Sequence, residues 1–256
     1  MISIKSEREI ELMRKAGMLV SKMHKYIKPY IKEGITTKEL DNLCEKFILD
    51  NGGSPTCKGY EGYPTALCTS VNDMVVHGIP DNYRLKNGDI ITIDVVIGYK
   101  GYQGDAAWTY AVGEIDDEKK YLMEHTEEAV NEGIKMVKPG NRIGDMSNAV
   151  EMYATKYKLG IVRELCGHGI GTDMHEDPDV PNYGRPGTGP LLKEGMVICI
   201  EPMLTFGKRD IYIDENNDWT VITQDGKPAA HYEHTVLVTK DGYEILTPRL
   251  DEEKNV

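Results

Sequence analysis

Two short phrases recur along this chain, in the same order and at nearly one spacing. Ile31-Lys-Glu-Gly34 and Val137-Lys-Pro-Gly140 each separate two helical patterns, and Leu85-Lys-Asn-Gly88 and Leu192-Lys-Glu-Gly195 each open an apolar, strand-like run. The text around them follows one plan. Ser6-Glu-Arg-Glu9 has capping-box form and precedes Ile10, Met13, Gly17, Val20 and Ile27, a helical stripe that should end before Pro29. A second helix is predicted from about Thr36 to Gly52-Gly53, with Leu40, Leu43, Cys44, Phe47 and Ile48 on one side and glycine to close it. Strand-like runs fill 67–112, helical patterns return at about 117–137 and 144–157, and further strands follow. The expected fold class is therefore α+β. Two helix-helix-sheet halves, about 6–113 and 114–248, would be related by a pseudo-twofold axis within a single domain spanning 1–256.

In both halves the sixth residue after the strand-opening glycine is acidic, Asp94 in one and Glu201 in the other. The axis would bring them to equivalent places around one centre. In Ile90-Ile-Thr-Ile-Asp-Val-Val-Ile97 a period of two sets Asp94 on a face with Ile90, Thr92 and Val96, where an unpaired ion is costly. Gly98-Tyr-Lys-Gly101 reads as a hairpin connection. A turn centred between Tyr99 and Lys100 puts Asp94 directly opposite Asp105, with Cβ atoms about 4.5–5.5 Å apart, so that two ionised aspartates call for a bridging cation. Glu201 ends the apolar run that starts at Met196, and Glu233 sits inside His231-Tyr-Glu-His-Thr-Val-Leu-Val238. Alone, each would pass for an ordinary strand-end carboxylate or ion-pair partner; together they form a pattern. Cys166-Gly-His-Gly-Ile-Gly171 adds His168 among glycines that permit close backbone approach. Four carboxylates and an imidazole suit a pair of Mn, Fe, Co or Zn ions, whose four positive charges they would balance. Such a pair lowers the pKa of water and polarises a carbonyl, which amide hydrolysis requires.

Composition narrows the alternatives. A net charge of −12 disfavours binding to a phosphate backbone, so no direct nucleic-acid role is expected. The apolar runs are too short to cross a bilayer, and the charged N-terminus lacks the core of a secretory signal, which makes cytoplasm the expected location. Five scattered cysteines without CxxC spacing are expected to be free thiols.

Asp94, Asp105, Gly-His168-Gly-Ile-Gly, Ile-Glu201-Pro-Met and Tyr-Glu233-His-Thr resemble, in order and spacing, the type I methionine aminopeptidases. Gly59-Tyr-Glu-Gly-Tyr-Pro64, Cys68-Thr-Ser-Val-Asn-Asp73 and His77-Gly-Ile-Pro80 point to this branch of the wider pita-bread family. The resemblance implies a pita-bread fold and a single catalytic domain with two divalent ions (Co, Mn, Fe, Zn or Ni) in the central cleft. Asp105 and Glu233 would bridge the ions, His168 and Glu201 complete one site, and Asp94 chelate the other. It implies catalytic roles for Glu201 as proton shuttle, for His175 at the developing oxyanion, and for His77 either at the peptide nitrogen or in stabilising the intermediate. The methionine pocket would comprise Cys57, Tyr60, Tyr63, Cys68, Met174 and Trp219, with His77 and His175 also touching substrate. Relatives often carry an aromatic residue where this chain has Met174. A monovalent cation (Na or K) would sit on the backbone carbonyls of Asn72, Met74 and Ala229. The implied substrate is the N-terminus of a nascent polypeptide with a small second residue; the ribosome is a candidate contact and a monomer the family expectation.

Two other readings compete. A proline-specific dipeptidase or aminopeptidase shares the ligands, but those relatives usually carry a large N-terminal domain, and here the helix pattern starts at Ser6. A metal-free binding protein on the same fold would be expected to have lost ligands, and all five stand here. The short stretch between His175 and Glu201 leaves no space for the type II insertion.

Overall fold

A computed structural model describes residues 1–250; residues 251–256 of the expected domain lie outside the described residues. The first half contains α1 (Glu7–Ile27), α2 (Thr37–Asp50), β1 (Ser54–Pro55), β2 (Cys68–Val71), β3 (Met74–Val76), β4 (Ile90–Tyr99) and β5 (Tyr102–Ala111). The second contains α3 (Asp117–Lys135), α4 (Ile143–Lys156), β6 (Gly160–Ile161), β7 (Gly167–Gly169), β8 (Glu176–Val180), β9 (Val197–Ile200), β10 (Met203–Thr205), β11 (Ile211–Ile213), β12 (Val221–Thr223), β13 (Ala229–His231), β14 (His234–Val238) and β15 (Tyr243–Ile245). Both helices start where expected, the capping box at Ser6 operates, and the structure adds a second at Thr36. The Glu9 carboxylate accepts from the Ser6 N–H at 2.7 Å, and Thr36 and Glu39 exchange both bonds of a capping box at 2.8 and 3.1 Å. The apolar stripe of α1 buries Met13, Ala16, Val20, Met23 and Ile27 and packs on β4 and β5, while α3 packs on β9, β10 and β13.

The recurrent phrases are the turns of a repeated scaffold. Gly34 and Gly140 take φ of +91° and +92°, and Gly88 and Gly195 take +94° and +85°, a region open to glycine. The Gly34 N–H donates to Leu85 O and the Gly140 N–H to Leu192 O; Gly88 donates to Val112 O and Gly195 to Val238 O, both at 2.9 Å. Equivalent bonds at equivalent places establish the pseudo-twofold relation.

Each half is organised around one long antiparallel ladder. β4 and β5 form an uninterrupted hairpin, with β1 and β2 along the outer edge of β4. In the second half β9 pairs with β14 through Ile200↔His234, and β10 with β13 through Met203↔His231. These are two parts of a single register, interrupted where Glu201-Pro202 faces Tyr232-Glu233; proline has no N–H to give the ladder.

The hairpin register differs from the expectation of Asp94 opposite Asp105. Asp94 pairs with Ala107 and Asp105 with Val96. The cause is the turn: Lys100 and Gly101, at φ +50° and +86°, are its two central residues, as a two-residue hairpin loop following the strand twist requires. The aspartates remain on one face as diagonal neighbours, about 7–8 Å apart rather than in direct contact.

The two ladders meet along β5. Thr235 Oγ1–H donates to Asp105 O at 2.8 Å and accepts from the Asp105 N–H at 3.0 Å. Thr109 Oγ1–H donates to His231 O at 3.0 Å and accepts from the His231 N–H at 3.1 Å, and between these pairs the Glu233 N–H donates to Ala107 O at 2.8 Å. Among the described residues no helix is long and apolar enough to cross a membrane.

Close approach of α1 to the C-terminal part of the fold depends on Gly17, where an added Cβ would lie 2.3 Å from Leu246 O. Helix propensity alone makes Gly17→Ala stabilising by about 1 kcal/mol. Overpacking against a backbone carbonyl reverses the sign: the substitution is expected to destabilise by about 1–3 kcal/mol, read as a lower urea midpoint at unchanged m.

Candidate metal centre

Acidic side chains converge where the two ladders touch. β4 supplies Asp94 and β5 supplies Asp105, while Glu201 and Glu233 stand at the interruption of the second ladder, facing each other across it. His168 arrives on β7, held between β8 and β9. Glycines on both sides let that strand in. A Cβ at Gly167 would sit 2.3 Å from Cys199 O, and one at Gly169 2.1 Å from Asp177 O.

His168 Nδ1–H donates to Gly169 O at 2.9 Å, which leaves the Nε2 lone pair directed at the acids. Nε2 lies 3.4 Å from Glu201 Oε1 and 3.8 Å from Asp105 Oδ2. Burial pushes this imidazole down to about 4, helped by the neighbouring His175, so it stays neutral. The carboxyls move the other way. Burial raises Asp94 to about 7, and burial together with mutual repulsion raises Asp105, Glu201 and Glu233 well above the usual carboxylate range. Asp105 Oδ1 and Glu233 Oε1 are buried without a hydrogen-bond partner among the described residues. A neutral imidazole with its lone pair inward and clustered carboxylate oxygens lacking donors form a set that divalent cations fit.

One member of the tightest grouping was not expected. Donor atoms of Asp105, His168, Cys199 and Glu233 all lie within 4.8 Å of one another. Cys199, however, does not line the cavity; its thiol is raised well above its ordinary value by burial and then by the acids, and it rests 3.7 Å from Thr235 Oγ1. It remains a protonated thiol behind the carboxylates. All five cysteines are free, as expected.

The acids line one end of a cavity of about 410 Å³. The other end is apolar: Cys57, Tyr63, Cys68, Val96 and Met174 are buried together, with Tyr60 and Trp219 packed against them. Trp219 meets Tyr63 edge-on at 5.1 Å and His77 at 6.1 Å. His175 stands at right angles to His168 at 4.3 Å, and Tyr60 Oη lies 2.8 Å from its Nδ1. A tyrosine hydroxyl donating there leaves Nε2 of His175 carrying the proton. Burial lowers the pKa of His175 against the pull of Glu61, and lowers His77 to about 4. Every residue named from the sequence for the two divalent ions or for methionine thus lines this one cavity, and Asn72, Met74 and Ala229 do not. Val96, Glu61 and His231 line it too, and sequence reasoning missed them. Val96 shares the pleat face of Asp94, a signal that was present; His231 becomes visible only through the register of the interrupted ladder.

Comparison with known proteins identifies the family and the fold. Residues 11–240 match the profile of metallopeptidase family M24. The chain is 49% identical over 247 residues to Methionine aminopeptidase 1 of Bacillus subtilis, covering 96% of this chain and 99% of that protein. It superposes on the crystal structure of methionine aminopeptidase from Rickettsia prowazekii with a TM-score of 0.96 at 42% identity, covering 97% of this chain and all of that one, so the pita-bread fold is shared. The prolidase from Pyrococcus horikoshii matches with a TM-score of 0.79 at 26% identity, and only 65% of that chain is covered. With a family profile spanning nearly its whole length and relatives this similar, the chain belongs to metallopeptidase family M24.

Proposed function

We propose that this protein removes the N-terminal methionine from nascent polypeptides by metal-dependent hydrolysis, preferring a small second residue. One observation carries the reading: a cluster of four carboxylates and a neutral imidazole forms one end of a cavity whose other end is a sulfur- and aromatic-lined pocket. A thioether side chain suits such walls. Membership of a metallopeptidase family implies divalent metal ions.

In this reading Asp105 and Glu233 would serve both ions, His168 and Glu201 would complete one site, and Asp94 would complete the other. When bound, the pair lowers the pKa of a water and polarises the scissile carbonyl. The chain's own residues do the rest. Cys57, Tyr60, Tyr63, Cys68, Met174 and Trp219 enclose the methionine side chain, exclude water and fix the first peptide bond near the acids. His77, neutral through burial, can accept the peptide N–H at its unprotonated ring nitrogen, and His175, likewise neutral, can offer an N–H to the developing oxyanion. Glu201, whose environment favours the proton-bound form, is suited to accept and return a proton. Residues 1–256 would act as one catalytic domain, working as a monomer in the cytoplasm on chains emerging from the ribosome. Ligands of this kind accept Co, Mn, Fe, Zn or Ni. A monovalent ion on the carbonyls of Asn72, Met74 and Ala229 is compatible with the meeting of two of these positions, the Ala229 N–H donating to Asn72 O at 2.9 Å.

A peptide assay tests the activity. Mn- or Co-loaded protein should release methionine from Met-Gly-Met far faster than from Met-Leu-Met, and metal-free protein should release it from neither; equal cleavage of the two peptides would contradict the specificity. Asp105→Ala and Glu233→Ala should each abolish turnover and lower metal stoichiometry, and full turnover by either variant would refute the bridging roles. The acids also predict a pH effect. Asp94 titrates near 7 in the fold against an ordinary 3.8, so the folded state binds the extra proton and stability is lost as pH rises through that interval. The buried histidines act with the opposite sign, but only below their ordinary 6.5. As pH rises from 6.5 through about 7 the melting temperature of metal-free protein should therefore fall, and that of Mn-saturated protein should fall less, which differential scanning calorimetry will show.

A further inference from the structure

The pseudo-twofold relation singles out His231. The hydroxyl of Thr235 bonds to both backbone groups of Asp105, and the hydroxyl of Thr109 bonds to both backbone groups of His231. The two threonines are equivalent, so His231 occupies in the second half the place of Asp105 in the first. The ladders agree. Asp105 is the diagonal neighbour of Asp94 across β4 and β5, and His231 is the diagonal neighbour of Glu201 once the β10–β13 register is carried through the interruption. The imidazole therefore points to the face that holds the carboxylates, lines the cavity, and is 1% exposed.

Neither ring nitrogen of His231 has a hydrogen-bond partner among the described residues. A buried imidazole in that condition is costly, and an apolar side chain would fill the space better. Its Nε2 lies 3.8 Å from Glu201 Oε2, while Glu201 Oε1 faces His168 Nε2 at 3.4 Å. Glu201 is thus flanked by two imidazoles. The first is fixed as a lone-pair donor by Gly169 O; the second has nothing to hold it in that tautomer and can present an N–H.

We propose that His231 is a positioning residue for Glu201: its Nε2–H donates to Glu201 Oε2 and holds the carboxylate with Oε1 turned toward His168. The contact forms by an approach of about 1 Å. The inference rests on the role given to Glu201 under the proposed function. It assigns a part in the reaction to a residue outside the five expected ligands and the methionine pocket.

Three substitutions test it. Glutamine can place an amide N–H where Nε2 stands, asparagine reaches only the Nδ1 position, and leucine fills the space without donating. His231→Leu and His231→Asn should each lower kcat on Met-Gly-Met by about 10–100-fold with KM within about twofold, and His231→Gln should recover most of the loss. Titration with Co(II), followed by visible absorption, should show weaker binding and an altered spectrum for the leucine and asparagine variants and a near-native one for glutamine. The metal-free melting temperature of His231→Leu should be unchanged or higher, separating positioning from stability. If the leucine variant does not fold, the contrast between asparagine and glutamine decides. Native kcat and a native Co(II) spectrum in His231→Asn, or equal impairment in His231→Gln, overturns the proposal. Glu201→Gln separates the two readings. If it abolishes turnover while His231→Asn is native-like, only the positioning role fails; if Glu201→Gln is itself fully active, the role of Glu201 fails as well.

Discussion

The cost of keeping four carboxylates out of water in one place governs this structure. Burial alone raises Asp94 to about 7, and repulsion adds to burial at Asp105, Glu201 and Glu233. A protein can sustain such a cluster only on a backbone that cannot relax away from it. The seam between the ladders provides that backbone. Thr109 and Thr235 each tie one strand to the neighbouring ladder through two bonds, and the Glu233 N–H is spent on Ala107 O rather than on its own carboxylate. The acids are thus fixed by main-chain geometry, and their charge is left for a bound cation to neutralise.

Symmetry explains the layout and its limits. The two halves share helices, glycine turns and ladder ends, yet they differ at the centre. One ladder runs unbroken from Ile90 to Ala111, and the other opens at Glu201-Pro202. That opening turns the second half into the one whose acids face each other, and it admits His168 alongside on a glycine-flanked strand.

Much of this was legible in the sequence because it is written locally. The capping box at Ser6, glycines at the ends of both helix pairs, and acids set in apolar runs are signals carried by a few adjacent residues. The errors have identifiable causes. Placing Asp94 opposite Asp105 depended on where the hairpin turns, and a lysine in the left-handed region at Lys100 moved the turn by one residue. The face of the sheet was right because that change shifts each pairing by two, which preserves parity. His231 and Cys199 could not be placed, because the strand that faces 197–205 lies beyond a long excursion, and nothing local records its register.

That excursion separates two kinds of change. Where the first half has a two-residue turn, the second sends out β11 and β12, and β12 pairs with β3 of the opposite half. Its connecting turn carries Trp219, which stands against Tyr63 and His77. Because the arm contributes none of the five expected donors, a change in its length or tip would alter the wall formed by Trp219 and leave the acids in place. Trp219 is the part of the apolar wall that the arm carries, whereas Cys68 pairs directly with Asp94 and Val96 follows it on β4.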